Sequence, residues 1–310
     1  MSTELRIAFM GQAAFGEAVL KALLDDGRDV VAAFCPPDKE GKPVDPLKIA
    51  AQARGVPVLQ FKRMRDDDAI DAFVSLNVDL GVMAFVTDIV PTDIIESPRL
   101  GTINFHPSLL PEHRGPSSIN WPIIQGKTKT GLSIFWPDAG LDTGPVLLQK
   151  EVEIGPNDTL GVVYFDKMFP LGVSSMVEAV RMVAAGTAPK IEQDHSKATY
   201  ESWCKAENVV IDWPKPAEEV YNLIRGSDPS PGANTTFNGA SISFFSASRA
   251  DTNGDAAPGQ IVAVSDESFT VAVLGGTIVV RRVQPHGEKK IAAGEWARSV
   301  GLKPGDQFGV

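Results

Sequence analysis

The sequence predicts an α/β protein in which a Rossmann-like, mostly parallel sheet precedes a small β-barrel. Two groups of observations support this fold class. Apolar runs at residues 5–10 and 30–34 enclose helical apolar spacing over residues 15–24, which is typical of a βαβ unit. Much later, short β runs follow one another with Gly, Asp and Asn between them, and such a succession indicates a barrel. These runs cover residues 239–245, 260–264, 269–273 and 277–283.

The chain is long enough for two domains. Its 310 residues exceed a typical single domain. The apolar run at residues 78–85 adds a buried central strand to the first domain. We interpret the polar, mixed segment 187–205 as the linker. The expected domains are therefore residues 1–204 and residues 205–310.

Net charge limits the classes of partner. A value of −10 argues against binding nucleic acid through many phosphates, because proteins that do so usually present a basic surface. Residues 205–310 follow the same trend, with 10 Lys and Arg against 12 Asp and Glu. We therefore expect a small-molecule partner ahead of a nucleic acid.

The sequence also indicates a compartment. It contains neither a run of about 18 apolar residues nor a secretory signal pattern. Its two cysteines, Cys35 and Cys204, are too few and too far apart for a disulfide framework or a metal site. We expect a cytoplasmic protein with no metal and no membrane partner, and no pattern in the sequence indicates an oligomeric state.

Two polar side chains end a predicted strand in the middle of the chain. If residues 102–105 form a strand, Asn104 and His106 lie two residues apart and point to one face. Proline lacks the N–H that a strand needs, so Pro107 ends the strand directly after His106. Because ligands of open α/β sheets bind at this edge, the pair is a candidate site. Considered alone, His106 could equally be a turn histidine bonded to the backbone.

A carboxylate completes a candidate catalytic group. The loop of residues 138–144 contains two glycines, which suits close approach to a ligand, and its Asp142 can face His106. Attack on a formyl carbon requires such an amide, imidazole and carboxylate. Asn104 and a protonated His106 can donate to the oxyanion, worth about 3 to 4 kcal/mol per donor. Asp142 can fix the imidazole tautomer and help to remove the proton of the nucleophile. The sequence has no Gly-x-Ser-x-Gly, so we expect no covalent intermediate.

Several blocks resemble the folate-dependent formyltransferase family. They are Asn-x-His-Pro-Ser-Leu-Leu-Pro from Asn104, Arg114-Gly115 and Leu141-Asp142-Thr143-Gly144. The family includes methionyl-tRNA formyltransferase, glycinamide ribonucleotide formyltransferase, sugar-nucleotide N-formyltransferases and the N-terminal hydrolase module of 10-formyltetrahydrofolate dehydrogenase. That module is the most similar, through further blocks at residues 37–42, 118–121, 133–136 and 222–226.

The resemblance implies a formyl donor, a catalytic domain and binding residues. The donor would be 10-formyltetrahydrofolate, used as a co-substrate without a metal. Residues 1–204 would form the catalytic formyltransferase domain and residues 205–310 an OB-like domain. In the family, two loops hold the pterin largely through backbone groups. The corresponding residues here are Met83, Phe85, Val86, Asp88, Asp138, Ala139 and Gly140.

The formyl acceptor has several candidates. Resemblance to the hydrolase module implies water or a small amine, although that module tends to carry an aliphatic residue where this chain has Asn104, as the transferases do. Methionyl-tRNA ranks second, because the tRNA-dependent transferases carry a longer, basic loop where residues 38–42 are short here. A sugar-nucleotide acceptor and a non-catalytic folate-binding protein are further alternatives. Arg114 has two interpretations, a bridge between loop carbonyls and a binding group for a carboxylate.

Overall fold

A computed structural model describes residues 5–250 and 256–309. The chain divides into two compact units, each built from three segments. The first unit contains Met1–Arg114, Gly131–Val152 and Lys167–Tyr200. The second contains Gly115–Thr130, Glu153–Asp166 and Glu201–Val310. Each unit has a hydrophobic core of its own.

Strands and helices alternate in the first half of the chain, and strands dominate the last third. The strands are β1 (Arg6–Gly11), β2 (Asp29–Cys35), β3 (Val58–Gln60), β4 (Leu80–Ala84), β5 (Thr102–His106), β6 (Lys129–Phe135), β7 (Val146–Glu153), β8 (Ala233–Phe237), β9 (Ala240–Ala250), β10 (Ile261–Val264), β11 (Phe269–Val273), β12 (Gly276–Pro285) and β13 (Ile291–Ala292). The α-helices are α1 (Ala13–Asp25), α2 (Pro46–Ala53), α3 (Asp67–Val74), α4 (Thr92–Glu96), α5 (Asn120–Ile124), α6 (Phe169–Ala184), α7 (Ala217–Gly226) and α8 (Ala293–Val300). Within the described ranges, no helix is both long and apolar enough to cross a bilayer.

A seven-stranded sheet organises the first unit, in the order β3-β2-β1-β4-β5-β6-β7. The pairings from β3 through β5 are parallel, and β6 runs antiparallel to β5. This arrangement confirms the predicted Rossmann-like, mostly parallel sheet. From β1 the chain builds outward in one direction through β2 and β3, and in the other through β4 and β5. Open α/β sheets bind ligands beyond the carboxyl ends of the strands at such a reversal.

Strand β1 shows that both faces of this sheet are covered. Ile7 and Phe9 pack into a core on one face, whereas Ala8 and Met10 pack into a second core on the other. Successive side chains of a strand point to opposite faces. A strand covered on both sides therefore has a continuous apolar sequence, and this is the pattern that predicts it.

The second unit contains an antiparallel sheet in the order β10-β11-β12-β9-β8, with β13 paired to β12. The short β runs that predict a barrel are strands of this sheet. Its core is aromatic, with neighbouring ring centroids 5.1 to 6.1 Å apart, a spacing typical of tilted and edge-to-face contacts. The rings belong to Trp213, Phe237, Phe244, Phe269, Trp296 and Phe308.

The prediction of a linker over residues 187–205 is wrong as far as Tyr200. Ile191 forms a β-bridge with Val146, and Tyr200 forms another with Arg114. This part of the segment belongs to the first compact unit. Its polar side chains form hydrogen bonds within that unit, so their polarity does not mark a solvated connection.

Helix α6 packs through Gly172 against two aromatic rings. A Cβ atom here would lie 2.7 Å from the ring of Phe105 and 3.0 Å from that of Phe15, whose centroids are 4.4 Å apart. Alanine favours a helix over glycine by about 1 kcal/mol, but overpacking costs about 1 to 3 kcal/mol. Gly172→Ala should therefore lower the free energy of unfolding by about 1 to 2 kcal/mol in urea titrations.

Ser174→Ala is the control for this substitution, because Ser174 is exposed on the same helix. Its unfolding free energy should stay within about 0.5 kcal/mol of the wild type. If Gly172→Ala were as stable as the wild type, α6 would have room to move away from the rings.

Candidate active site

Strand β5 places Asn104 and His106 at the carboxyl edge of the sheet. It pairs with β4, where Met83 lies opposite Asn104, and with β6, where Ser133 lies opposite His106. The strand ends at His106, as the following proline predicts. Because the two residues are two positions apart, their side chains face the same side of the sheet.

Two groups hold the imidazole of His106, which is 6% exposed. Its Nε2 lies 2.8 Å from the carbonyl oxygen of His113, and its Nδ1 lies 3.6 Å from Oδ2 of Asp142. A carbonyl oxygen can only accept, so Nε2 carries a proton and donates it. Nδ1 is then the nitrogen that faces Asp142. The two interpretations of His106 are therefore compatible: one ring nitrogen bonds to the backbone of a turn, and the other faces the carboxylate of the candidate site.

The turn after β5 brings the His113 carbonyl back to the His106 ring. Oγ of Ser108 donates to the Glu112 carbonyl at 2.6 Å, and the Leu110 N–H donates to Oγ of Ser133 at 3.1 Å. Oγ of Ser133 in turn donates to the Ser108 carbonyl at 2.7 Å. These bonds tie the turn to itself and to β6, which fixes the acceptor for Nε2.

The loop of residues 138–144 presents Asp142 to His106. Asp142 adopts a left-handed conformation with φ of 54°. A side chain at Gly144 would overlap a backbone carbonyl, so only glycine fits there. The Asp138 carboxylate accepts from the Gly140 N–H at 3.0 Å and from Oγ1 of Thr143 at 2.5 Å. Local hydrogen bonds and one obligatory glycine therefore shape the loop around Asp142.

The side-chain amide of Asn104 is available to a ligand. Asn104 is partly exposed at the end of β5, and its backbone groups take part in the sheet. Within residues 5–250 and 256–309, no side-chain hydrogen bond to this amide is formed. Its two N–H donors can therefore point at an incoming oxygen.

The residues predicted to bind a pterin fall into two groups. Met83 is buried in the core beneath the site. Phe85 follows β4 with 45% of its side chain exposed and φ of 62°, and Val86 is partly buried next to it. In the other loop, Asp138, Ala139 and Gly140 are all exposed.

The carboxylate of Asp88 shapes its own loop and a neighbouring one. Oδ2 accepts from the Met64 N–H at 2.6 Å, and Oδ1 accepts from the Ile89 N–H at 2.9 Å. The carboxylates of Asp88 and Asp138 therefore accept hydrogen bonds from groups of the protein itself. Their loops can still offer other backbone groups to a ligand, which is the mode of binding that the resemblance implies.

A cavity of about 60 Å³ lies at the carboxyl ends of β1, β2 and β4. Phe85, Val86 and Asp88, which the resemblance assigns to pterin binding, line one side of it, whereas the other walls come from segments that sequence reasoning did not connect with them. Gln12 donates to Oγ1 of Thr87 across it at 3.1 Å. Its apolar walls include Met10, Phe34, Phe61 and Met64.

Cys35 also lines this cavity, but its thiol is not poised as a nucleophile. Burial raises the pKa of the Cys35 thiol to about 11, so the thiol stays protonated near neutral pH. Cys35 is a free, buried thiol. Among the described residues, no cluster of three or more His, Cys, Asp or Glu is placed to hold a metal ion.

Asp45 occupies the N-terminus of α1. Both of its carboxylate oxygens lie 3.0 Å from the Ala13 N–H, and Oδ1 also accepts from the Leu47 N–H at 2.9 Å. The second bond caps α2, as Asp followed by Pro at a helix start indicates. The bond to α1 joins positions 32 residues apart and has no local sequence signal.

Arg114 bridges loops and is only 2% exposed, which excludes it as a surface binding group. Its guanidinium donates to Oε1 of Gln193 and to the hydroxyl of Tyr200. Nε2 of Gln193 donates to the carbonyls of Asp142 and Gly144. The interpretation of Arg114 as a bridge to loop carbonyls therefore holds, with Gln193 as the intermediate. Sequence reasoning missed Gln193, which lies in a polar stretch without a motif.

Comparisons with known proteins agree with this fold. Residues 5–180 match the model of the family described as formyl transferase, and residues 204–301 match that of the formyl transferase C-terminal domain. A solved structure of HypX from Aquifex aeolicus in complex with tetrahydrofolic acid aligns with a TM-score of 0.70 over 96% of this chain and 47% of that chain. At 18% sequence identity, this likeness concerns the fold alone.

Two kinds of curated relative are similar in sequence. Mouse mitochondrial 10-formyltetrahydrofolate dehydrogenase is 45% identical over 250 residues, which is 79% of this chain and 27% of the relative. Methionyl-tRNA formyltransferase of Bacillus velezensis is 37% identical over 310 residues, with 98% of both chains covered. The chain spans about a third or less of the length of the dehydrogenases it matches. With both family models matched and a relative aligned along almost its whole length, the chain belongs to the formyl transferase family.

Proposed function

We propose that the protein moves the formyl group of 10-formyltetrahydrofolate to water or a small amine and releases tetrahydrofolate. The observation that carries the proposal is the fixed His106 ring, with Nε2 bonded to a backbone carbonyl and Nδ1 facing Asp142. Asn104 on the same strand face adds a second donor. The names of the dehydrogenase relatives and the tetrahydrofolic acid held by the HypX structure support the choice of donor.

The three side chains have distinct roles in the proposed reaction. The lone pair of the acceptor attacks the formyl carbon, and the carbonyl π electrons move to oxygen. The Asn104 amide and the protonated Nδ1 of His106 donate hydrogen bonds to this oxyanion. Asp142 takes the proton that the acceptor loses. When the carbonyl reforms, the bond from carbon to the donor nitrogen breaks, and Asp142 returns its proton to that nitrogen directly or through water. The products are tetrahydrofolate and formate or an N-formyl amine.

The loops beside these residues suit a flat aromatic ligand. Phe85 is 45% exposed and Leu141 is 58% exposed, although large apolar side chains usually seek burial. Each lies in a loop at the carboxyl edge of the sheet. Apolar side chains next to accessible backbone groups are what a pterin ring requires, since it presents both a flat face and hydrogen-bonding edges.

The start of α1 offers little to a phosphate group. The N-terminus of a helix normally attracts phosphate, but the Asp45 carboxylate already occupies that of α1. We therefore favour water or an amine without a phosphate over a nucleotide as the acceptor.

Methionyl-tRNA is the second candidate acceptor. The Bacillus velezensis methionyl-tRNA formyltransferase aligns over 98% of both chains, and Asn104 is the residue that the resemblance assigns to transferases. The net charge of −10 weighs against it, since tRNA binding draws on released counterions. We rank it behind a small acceptor for this reason.

We also propose that catalysis belongs to residues 1–204 and that residues 205–310 form an OB-like domain. The candidate catalytic residues Asn104, His106 and Asp142 all lie in the first part. The family matches over residues 5–180 and 204–301 support a division near this boundary.

Replacing His106 by Ala should remove an oxyanion donor. The rate constant for tetrahydrofolate release should fall by about 100- to 1,000-fold, measured by absorbance in single-turnover and steady-state assays. His286→Ala is the matched control, because His286 is exposed in the second unit. Full turnover by His106→Ala would remove the proposed mechanism.

Replacing Asp142 by Asn keeps the size of the side chain and removes its basicity. The kcat value should fall by about 100- to 10,000-fold, whereas the dissociation constant of a folate analogue should change by less than about threefold, as the pterin contacts remain. Asp266→Asn, at a carboxylate that is 98% exposed, should behave like the wild type. Equal losses of binding and turnover would place Asp142 in donor binding instead.

The acceptor can be identified by supplying candidates in turn. With the donor alone, we expect formate and tetrahydrofolate in equal amounts, and a small amine should divert formate to an N-formyl product. Charged initiator tRNA should add little to the rate. A tRNA-dependent increase of about 100-fold or more would favour the second candidate, and donor binding without any formyl loss would indicate a non-catalytic folate-binding protein.

A further inference from the structure

The side-chain amide of Gln193 is buried and fully used. It is 7% exposed. Its Nε2 donates to the Asp142 carbonyl at 2.9 Å and to the Gly144 carbonyl at 2.7 Å. Its Oε1 accepts from Nε of Arg114 at 3.1 Å and from Nη2 at 2.7 Å. Two donated and two accepted bonds exhaust a primary amide, so Gln193 has no hydrogen bond left for a substrate.

Arg114 is the buried group that orients this amide. Besides Gln193, its guanidinium contacts the Tyr200 hydroxyl and Nδ1 of His195, the latter at 3.0 Å. It also lies 5.3 Å from the centroid of the Tyr200 ring. A buried cation is costly unless its N–H groups are satisfied, so these neutral acceptors hold the guanidinium in one place. Arg114 then fixes which way the Gln193 amide faces.

A second link runs from the same segment to His106. The peptide between His113 and Arg114 is held at both ends. Its carbonyl accepts from Nε2 of His106 at 2.8 Å, and its N–H donates to the Thr199 carbonyl at 3.0 Å. The His113 N–H adds a bond to Oγ1 of Thr199 at 2.8 Å. We call residues 193–200, which make these contacts at both ends, the strap.

We propose that the strap is a positioning device for the candidate catalytic pair, with Gln193 and Arg114 as its positioning residues. Gln193 holds the backbone on either side of Thr143 and so sets where the Asp142 carboxylate lies. Thr199 holds the peptide that fixes the His106 ring. One segment thereby sets both members of a pair that lie 36 positions apart in the sequence. The inference rests on the proposed function, since it assigns a purpose to the geometry of that pair.

The four hydrogen bonds of the Gln193 side chain predict how its substitution affects kcat. Gln193→Met keeps the length of the side chain and removes all four bonds. Gln193→Glu keeps acceptors for Arg114 but turns an oxygen toward the Asp142 and Gly144 carbonyls, which repel it. Since a shift of about 1 Å at a catalytic group can cost about 100-fold, both variants should lose about 10- to 100-fold in kcat. The KM for the formyl donor should change by less than about threefold.

Asn120→Leu is the matched control. Asn120 is also a buried amide whose Nδ2 bridges two carbonyls, those of Gly226 and Ser230, at 3.0 and 3.3 Å. It belongs to the second unit and contacts none of the candidate catalytic residues. The Asn120→Leu variant should have a melting temperature lowered by about as much as that of Gln193→Met. Its kcat should stay within about twofold of the wild-type value.

A measurement without turnover separates positioning from general destabilisation. The ¹⁵N resonances of the His106 ring report its tautomer and the surroundings of Nδ1. In the folded Gln193→Met and Gln193→Glu proteins, the Nδ1 resonance should shift, because Asp142 no longer lies opposite it. In Asn120→Leu it should stay where it is in the wild type.

Two results would overturn the proposal. Folded Gln193 variants with wild-type kcat and an unmoved Nδ1 resonance would show that the strap does not set the pair. An equal loss of kcat in Asn120→Leu would show that destabilisation alone explains the effect. The proposed function is tested separately by His106→Ala. If that variant kept full turnover while the Nδ1 resonance still moved in Gln193→Met, the strap would position a pair that serves another reaction.

Discussion

The bond from Nε2 of His106 to the His113 carbonyl is the constraint on which the candidate site depends. Because a carbonyl cannot donate, this one contact decides which ring nitrogen carries the proton in the neutral form. It also turns the other nitrogen toward Asp142 and the open edge of the sheet. The turn after β5 and the bond from the Arg114 N–H to the Thr199 carbonyl both hold that carbonyl in place.

Local patterns predict the parts of this protein that local physics determines. The apolar run of β1 predicts a strand buried on both faces, and Pro107 predicts the end of β5 at His106. The meeting of His106 with Asp142 follows from strand order and a glycine-containing loop. The strap could not be predicted in this way, since Gln193 reaches Asp142 across 51 positions and its partners are backbone carbonyls. Polar composition describes what such a segment contains and says nothing about which carbonyls it meets.

The same reasoning explains why the sequence predicts the reactive side chains more readily than the formyl acceptor. The amide, imidazole and carboxylate come from one strand and one loop, so their types and spacing survive in the sequence. The cavity at the ends of β1, β2 and β4 is instead enclosed by four separate segments, and the role of Asp45 at α1 depends on a contact between distant positions. Members of one family can therefore share a reactive centre and differ in what reaches it.

The left-handed backbone of Phe85, His113 and Asp142, with φ of 62°, 55° and 54°, has a thermodynamic consequence. A side chain in this region costs on the order of 1 kcal/mol per residue relative to glycine. The protein therefore carries conformational strain in the two loops that hold Phe85 and Asp142 and in the buried turn that holds His113, and these segments are shaped in advance of binding. A ligand that meets loops already ordered loses less conformational entropy on binding.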